Sequence, residues 1–373
     1  EQEEIVNVKL AEIRTTYKDL KPTDITCIDP CMGSGHILIA MFDVLMDIYE
    51  SAGYDKREAA FEIVEHNIHG LDIDQRAYQL AYFAVMMKGR GYNRRFLRGR
   101  DGKPEPKVYV IVESNEINRN HLQFFGTHLS EMERNLAVMQ IEGLLNTFQD
   151  AREYGSILNV DECAWNVLQR FVDDLGTTGQ ISFESVGSEE TQEQLRKLVR
   201  VAKNLGQKYN AVVTNPPYMG ASGMGAKLSK YVKDNYSDSK SDLFAVFIEK
   251  CGQMTKKNGY QAIITQHAWM FQPTYIKLRL KLLQNRIVNM VHLGARAFEE
   301  IGGEVVQIVA FINSNVIIDN YQSSFVRLVD YGSQDSKKVA FTERKGIYII
   351  NPEYFKKLPN IVIAYWLSDN MIK

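Results

Sequence analysis

A short strand, a glycine-containing turn and the start of a helix follow one another in residues 24–39, which read DITCIDPCMGSGHILI. Ile25, Cys27 and Ile28 are β-prone, and from Ile37 onward apolar residues recur at helical spacing. Glycine suits a backbone that turns sharply and approaches a ligand closely, but tight turns also need glycine for steric reasons alone. The turn by itself therefore leaves the ligand open, while the strand, turn and helix indicate an α/β fold.

The same alternation continues along the chain and predicts a mostly parallel sheet of seven strands with helices on both faces. We predict the strands at residues 24–29, 68–72, 108–112, 211–214, 260–265, 287–293 and 305–312. We predict helices at residues 37–48, 55–67, 75–88, 131–148 and 193–205.

The regular alternation breaks after residue 114 and resumes at residue 209, which suggests one domain with an insertion. Residues 1–114 and 209–330 are then the two parts of the domain, and residues 115–208, with a polar stretch at 176–192, form a mainly helical insertion. Residues 331–373 would begin a further, truncated region. Because the chain starts with a glutamate, we interpret it as a fragment and expect a target-recognition region beyond Lys373.

Composition excludes several classes of protein. The 373 residues carry a net charge of -2 and are 45% hydrophobic, so contact with a polyanion must be local rather than a property of the whole surface. The 4 cysteines show no CxxC pair, which argues against a zinc site and suits reduced thiols. Membrane-spanning and signal-peptide patterns are absent, so we expect a soluble, cytoplasmic protein.

The second predicted strand ends in Gly70-Leu71-Asp72-Ile73-Asp74. An aspartate at the carboxyl end of this strand can accept hydrogen bonds from both hydroxyls of a ribose. The alternative is a helix cap, which is the common role of aspartate just before a helix. We expect Asp74 to cap the helix and Asp72 to bind the ligand.

Asn215-Pro216-Pro217-Tyr218 follows the apolar run Ala211-Val212-Val213, so a rigid turn projects an amide, a carbonyl and a ring from a strand end. An exocyclic base nitrogen is a poor nucleophile because its lone pair is delocalised into the ring. The Asn215 side-chain oxygen and the Pro216 carbonyl can accept its two hydrogens, and Tyr218 can stack on a base turned out of the duplex. A stiff loop without chemistry is the alternative.

Taken together, these motifs resemble those of gamma-type, N6-adenine-specific DNA methyltransferases. The resemblance is most specific to the PglX-like enzymes of bacterial phage-exclusion (BREX) systems and to related restriction-modification methylases, and it covers nearly the whole chain. It is carried by Gly33–Leu38, Gly70–Asp74, Tyr154–Ile157, Asn215–Gly220, Ser241–Phe244, Gln266–Met270 and His292–Phe298.

The resemblance implies a Rossmann-like, S-adenosylmethionine-dependent enzyme that methylates adenine N6 in double-stranded DNA without a metal. It also implies other defence-system proteins as partners. It assigns methyl-transfer chemistry to the turn Asn215, Pro216, Pro217 and Tyr218. It assigns cofactor contacts to Asp29, Pro30, Cys31, Gly33, Gly35, Asp72 and Ile73, with either Asn115 or Asp150 at the adenine ring. A second aromatic side chain near the base is expected at Phe298, where an ordinary core phenylalanine is the alternative.

Two basic segments suit a polyanionic partner, or else form ordinary solvated surface. One is residues 88–103 and the other contains Lys227, Lys230, Lys233 and Lys240. Two rival functions stay open: a DNA- and cofactor-binding scaffold of a defence complex, and a methyltransferase with the same turn that acts on RNA or on protein glutamine.

Overall fold

The computed structural model describes residues 2–100, 102–176, 186–298 and 306–367. Within these ranges the chain forms twelve α-helices and nine β-strands. Residues 177–185 of the predicted polar stretch and Val305, the first residue of the predicted seventh strand, lie outside the described residues.

The elements follow one another in an α/β order. The strands are β1 (Cys27–Asp29), β2 (Ile68–Asp72), β3 (Lys107–Val110), β4 (Tyr209–Thr214), β5 (Thr255–Gln266), β6 (Arg286–Gly294), β7 (Ile308–Ser314), β8 (Ser323–Arg327) and β9 (Ile347–Ile350). The helices are α1 (Glu4–Thr16), α2 (His36–Ser51), α3 (Lys56–Glu62), α4 (Gln75–Tyr92), α5 (Glu131–Thr147), α6 (Ala151–Tyr154), α7 (Trp165–Asp173), α8 (Ser188–Gly206), α9 (Ala226–Asn235), α10 (Leu243–Met254), α11 (Ile276–Leu283) and α12 (Gln334–Thr342).

All nine strands join one sheet in the order β3-β2-β1-β4-β5-β7-β6-β8-β9. The first five strands of that order are mutually parallel, whereas β7 runs antiparallel between β5 and β6 and β9 runs antiparallel to β8. The α/β class is confirmed. The prediction of seven mostly parallel strands is wrong, because the sheet has nine strands and is mixed.

The two missed strands are short and carry weak signals. β8 has 5 residues and β9 has 4, and the side chains of β9 alternate between exposed and half-buried. β8 has only two apolar residues, Phe325 and Val326, so it lacks the apolar run that identifies a buried strand. β9 is an apolar run, but at 4 residues it has the minimum length for that signal. The helix predicted at residues 55–67 is also corrected, because α3 ends at Glu62 and a π-helix covers Ile63–Asn67.

The two faces of the sheet pack against two different hydrophobic cores, as the first two residues of β1 show. Successive residues of a strand face opposite sides of the sheet, so Cys27 packs with α2, α3 and α4, while Ile28 packs with the larger core on the other face. That larger core also contains buried side chains of α5, α7, α8 and α10. The sheet is therefore covered by helices on both faces.

The carboxyl ends of β2, β1 and β4 meet at one edge of the sheet. β1 pairs in parallel with both neighbours, with Cys27 opposite Ile68 of β2 and opposite Ala211 of β4. Asp29, Asp72 and Thr214 end these three strands and therefore lie at the same edge of the sheet. We call this the carboxyl edge, and ligands of open α/β sheets bind at such an edge. Among the described helices, none is both long and apolar enough to cross a membrane.

The turn after β1 depends on Gly35. Its φ of +90° lies in the left-handed region, and an added Cβ would lie 3.0 Å from the Cα of Ala81 in α4. We expect Gly35→Ala to lower the free energy of unfolding by roughly 1–3 kcal/mol, measured by denaturant titration. The matched control is Gly143→Ala in the interior of α5, where an added Cβ meets nothing within 4 Å. That variant should gain up to about 1 kcal/mol, and equal effects in both variants would contradict the account.

Candidate active site

The turn after β1 is held in place by the end of β2. The amide of Met32 donates to the carbonyl of Leu71 over 3.0 Å, and the amide of Gly33 donates to Oδ2 of Asp72 over 2.9 Å. The other carboxylate oxygen of Asp72 accepts from the amide of Asp74 over 2.9 Å. Asp74 itself caps α4, as predicted, by accepting from two amides of the first turn. Each Asp72 oxygen still has a lone pair for a ligand.

Asp29 is a buried carboxyl with one oxygen left over. Only 1% of the residue is exposed, and its Oδ1 accepts from the Thr214 hydroxyl over 2.7 Å and from the Cys31 amide over 3.0 Å. Its Oδ2 is buried without a hydrogen-bond partner. Burial raises the pKa of Asp29 to about 7, although the hydrogen bonds from Thr214 and Cys31 pull that pKa down. A buried oxygen of this kind suits a cationic, hydrogen-bonding partner.

The predicted catalytic turn begins directly after Thr214. Asn215 is exposed, and its side-chain oxygen accepts a hydrogen bond of 3.1 Å from the hydroxyl of Tyr218. Burial raises the pKa of Tyr218 to about 12, so this hydroxyl stays a donor. Its ring meets Phe244 edge-on, with centroids 6.1 Å apart. In this arrangement Tyr218 orients the Asn215 amide, and its stacking on a base stays a prediction.

Asp242 fixes the chain that leaves the predicted catalytic turn. Its Oδ1 accepts from the amide of Met219 over 3.0 Å and from the amide of Phe244 over 3.2 Å, so it caps α10. The Leu243 amide donates in return to the carbonyl of Met219 over 3.0 Å. No role was predicted for Asp242 from the sequence. An aspartate directly before the apolar start of a helix was the available signal.

A cavity of about 570 Å³ separates the two turns at the carboxyl edge. The predicted site residues that line this cavity are Pro30, Cys31, Asp72, Ile73, Asn215, Pro216 and Pro217. The cavity thus brings together the ends of β1, β2 and β4. Asp29 lies behind this lining as a buried residue, and Gly33 and Gly35 shape the turn with positive φ angles of 51° and 90°.

The far wall of the cavity comes from residues that were not assigned a role from the sequence. Residues 152–156 line it, together with apolar side chains of Leu228, Leu243 and Phe247. Tyr154 stacks on Tyr231 of α9, with centroids 4.7 Å apart. The motif Tyr154–Ile157 was noted only for its resemblance, because its approach to the sheet depends on long-range packing.

The wall is fastened by buried polar groups. The Tyr236 hydroxyl donates to the carbonyl of Ile157 over 2.6 Å, and the Lys250 ammonium donates to the carbonyl of Leu158 over 2.6 Å. Burial lowers the pKa of Lys250 to about 8. These bonds tie the segment to α10 and to the end of α9, so the wall has a defined position relative to the catalytic turn.

Asn115 and Asp150, the two alternatives for an adenine ring, bind each other. The Asn115 side-chain amide donates to Oδ1 of Asp150 over 2.9 Å, and the Asp150 backbone amide donates to the Asn115 side-chain oxygen over 2.8 Å. Lys227 of α9 donates to Oδ2 of Asp150 over 2.6 Å. Neither residue lines the cavity as it stands. Phe298 is half-buried after β6, and its role also stays a prediction.

The two basic segments lie in different places. α4 runs from the carboxyl edge back to the opposite edge, so the described residues of the first segment, 88–100 and 102–103, lie away from the cavity. There Lys88 pairs with Asp43 and Arg100 with Glu62. The segment on α9 starts beside the cavity wall. Only this second segment is placed to meet a polyanion at the candidate site.

The family follows from a comparison with known proteins. Residues 66–298 match the family model described as Eco57I restriction-modification methylase, which covers more than half of the chain. The chain belongs to this family. The match includes the ends of β2 and β4, and hence Asp72 and the Asn215 turn.

Curated relatives of this Eco57I-type methylase are named as adenine-specific methyltransferases. It is 40% identical over 358 residues to the adenine-specific methyltransferase PglX of Lacticaseibacillus casei (strain Zhang), covering 94% of this chain and 29% of PglX. It is 36% identical over 387 residues to BrxX of Escherichia coli O9:H4 (strain HS), covering 99% of this chain and 31% of BrxX. The resemblance predicted from the motifs is confirmed. The chain spans less than a third of either relative.

Solved structures share the fold at low sequence identity. A nuclease-deletion mutant of the Type ISP restriction-modification enzyme LlaGI, in complex with a DNA substrate mimic, superposes with a TM-score of 0.54 at 13% identity. That comparison covers 99% of this chain and 27% of LlaGI. The DrdV–DNA complex gives a TM-score of 0.54 at 10% identity, covering 99% of this chain and 31% of DrdV.

The buried Asp29 makes the stability of this Eco57I-type methylase depend on pH. Its folded-state pKa of about 7 lies above its ordinary value of 3.8, so the stability that the protonated form contributes is lost as pH rises from about 4 to about 7. We expect Asp29→Asn to lack that loss. Its free energy of unfolding relative to the unsubstituted protein should rise by roughly 1–4 kcal/mol between pH 4 and pH 8. Chemical unfolding across this range tests the prediction, which a constant difference would contradict.

Proposed function

We propose that the protein transfers a methyl group from S-adenosylmethionine to the N6 amine of adenine in double-stranded DNA, within a phage-defence or restriction-modification system. The observation that carries this proposal is the shared cavity between the Asn215 turn and the ends of β1 and β2. Membership of a restriction-modification methylase family supports methyl transfer. The relatives' names support adenine, and the DNA complexes of two proteins with this fold support a DNA substrate.

The residues at the carboxyl edge fit S-adenosylmethionine. When bound, this cofactor supplies a methyl group already activated by its positively charged sulfur. The unpartnered Oδ2 of Asp29 suits the ammonium of the methionine moiety, and the partly exposed Asp72 suits the ribose hydroxyls. The hydrogen-bonded pair of Asn115 and Asp150 would serve the adenine ring as one unit. A volume of about 570 Å³ lies within the range of small-molecule sites.

Asn215 is proposed to make the amine of the base nucleophilic. Its side-chain oxygen and the carbonyl of Pro216 accept the two amine hydrogens, so the nitrogen moves toward a tetrahedral geometry with a free lone pair. The hydroxyl of Tyr218 keeps the Asn215 oxygen oriented. Because an amide oxygen has two lone pairs, it can accept from Tyr218 and from the amine at once. Orientation and hydrogen bonding are the protein's contribution.

The target base is proposed to leave the duplex and enter the cavity beside α9. Lys230 on α9 is 81% exposed and pairs with Asp234, and Lys227 is 58% exposed and pairs with Asp150. Both would exchange these exposed carboxylate partners for DNA phosphates near the cavity. Residues 115–208 would act as an insertion that completes the wall of the domain formed by residues 1–114 and 209–330. Residues 331–373 would begin a further region, although β9 pairs within the same sheet.

Labelled S-adenosylmethionine with duplex DNA, RNA or protein as acceptor tests the proposed function. We expect N6-methyladenine in DNA, and a loss of at least about 100-fold in rate for Asn215→Ala, because one preorganised acceptor is removed from the reacting amine. Transfer to RNA or to protein glutamine would contradict the proposal. Cofactor binding without transfer to any acceptor, even with partner proteins supplied, would instead identify a scaffold.

Asp242 offers a test of positioning. Asp242→Ala removes the acceptor for the amides of Met219 and Phe244. The chain that follows the catalytic turn should then lose its fixed position. We expect kcat to fall about tenfold, with little change in the affinity for S-adenosylmethionine. Asp242→Asn keeps a side-chain oxygen at the same place and should retain most of the activity. Equal losses in both variants would show that the charge, rather than the positioning, matters.

A further inference from the structure

A second cavity, of about 270 Å³, lies at the end of the sheet opposite to the candidate active site. Thr26 lines it just before β1 begins, His69 lines it from the first half of β2, and Lys107 lines it as the first residue of β3. Arg200 and Lys203 line it from the second half of α8. We call this cavity the basic recess. It shares no lining residue with the cavity at the carboxyl edge.

His69 supplies the recess with a buried polar side chain. The residue is 3% exposed, and its Nδ1 lies 2.6 Å from the side-chain oxygen of Asn204. The Asn204 backbone carbonyl accepts from the hydroxyl of Tyr209 over 2.8 Å. An oxygen opposite Nδ1 requires that this nitrogen carry the hydrogen. The other ring nitrogen, Nε2, is buried without a hydrogen-bond partner, so it is the atom that a ligand would satisfy.

The charges around the recess have one sign. Lys107, Arg200 and Lys203 line it, and no aspartate or glutamate does so among the described residues. Within the same part of the chain, none of these three side chains takes part in an ion pair. Burial lowers the pKa of Lys107, and the neighbouring Lys203 lowers it further. Glu65, which does not line the recess, partly offsets the charge of Lys107. Like charges gathered around one cavity are unfavourable, and a bound anion would relieve their repulsion.

We propose that the basic recess binds the phosphate group of a small molecule, either inorganic phosphate or a phosphate monoester. The Arg200 guanidinium can donate two parallel hydrogen bonds to a tetrahedral oxyanion, and the two lysines supply point charges. The side-chain amides of Asn166 and Gln169 line the same space and add neutral donors. A volume of about 270 Å³ accommodates a phosphate with part of an attached group. A duplex positioned for methylation lies at the other edge of the sheet.

Binding of an anion would change the protonation of His69. In the free protein burial lowers the pKa of His69 to about 4, so Nε2 is an acceptor at neutral pH. The groups that face it are Asn204 and Lys203 on α8, Lys107 on β3 and Tyr209 on β4, with Glu65 acting on Lys107. The Gln207 side-chain nitrogen lies 3.4 Å from Nδ1, and the backbone of His66 also interacts with the ring and favours its protonated form. A phosphate oxygen beside Nε2 favours the protonated ring, which then donates from both nitrogens.

The test is a titration of the protein with inorganic phosphate, observed through the imidazole C–H resonance of His69 by NMR, with His69→Gln used for assignment. We expect a saturable shift for His69 and none for His121, a buried histidine that hydrogen-bonds to Thr191 elsewhere. Arg200→Gln and Lys203→Gln should each weaken phosphate binding about tenfold. The matched control is Lys197→Gln on the same helix, because Lys197 does not line the recess. It should leave the affinity unchanged.

Parallel titrations with adenosine 5′-monophosphate and with a short DNA duplex separate the sources of phosphate. A His69 shift with inorganic phosphate or with the nucleotide supports the proposal. A shift caused by DNA alone would overturn it in favour of a phosphodiester contact. The proposal also fails if none of the three ligands moves the His69 resonance, or if Lys197→Gln weakens binding as much as Lys203→Gln. None of these readouts depends on methyl transfer, so failure here leaves the proposed function standing.

Discussion

One buried hydrogen bond joins the two halves of the candidate site. The Thr214 hydroxyl at the end of β4 donates to Oδ1 of Asp29 at the end of β1 over 2.7 Å. The parallel pairing of β1 with β4 places the two residues side by side, and the turns that follow start from these points. Because Asn215 and Pro30 come next in the chain, the bond sets the distance between the two turns that start at these residues. The two turns separate from each other beyond this hydrogen bond, and the cavity lies between them.

This arrangement places polar groups in a buried part of the protein, where water cannot solvate them. Asp29 keeps one oxygen unpartnered, and burial holds its pKa near 7, at a cost in stability above that pH. Such a cost at a strand end is typical of a site built for a ligand rather than for stability alone. The surrounding wall is held in place by Tyr236 and Lys250, which donate hydrogen bonds to backbone carbonyls.

The amino-acid sequence predicts the parts of this molecule that depend on local pattern. Strand β2 and the cap at Asp74 follow from periodicity and from residues a few positions apart. Features set by long-range packing were missed or misplaced. Strand β7 was predicted, but its antiparallel direction was missed because alternation reveals a strand and not its direction. Residues 88–103 looked suited to DNA, yet the 18 residues of α4 carry them to the far edge. The pairing of Asn115 with Asp150 joins residues 35 positions apart.

The most direct measurement is the single-turnover rate of N6-methyladenine formation in duplex DNA by Thr214→Val and Thr214→Ser, both at a temperature where circular dichroism shows them folded. Valine matches the shape of threonine but removes the hydroxyl that donates to Asp29, whereas serine keeps it. We expect Thr214→Val to slow methyl transfer about tenfold or more, while Thr214→Ser stays near the unsubstituted rate. Equal rates in the two variants, or no N6-methyladenine from the unsubstituted protein, would contradict this expectation.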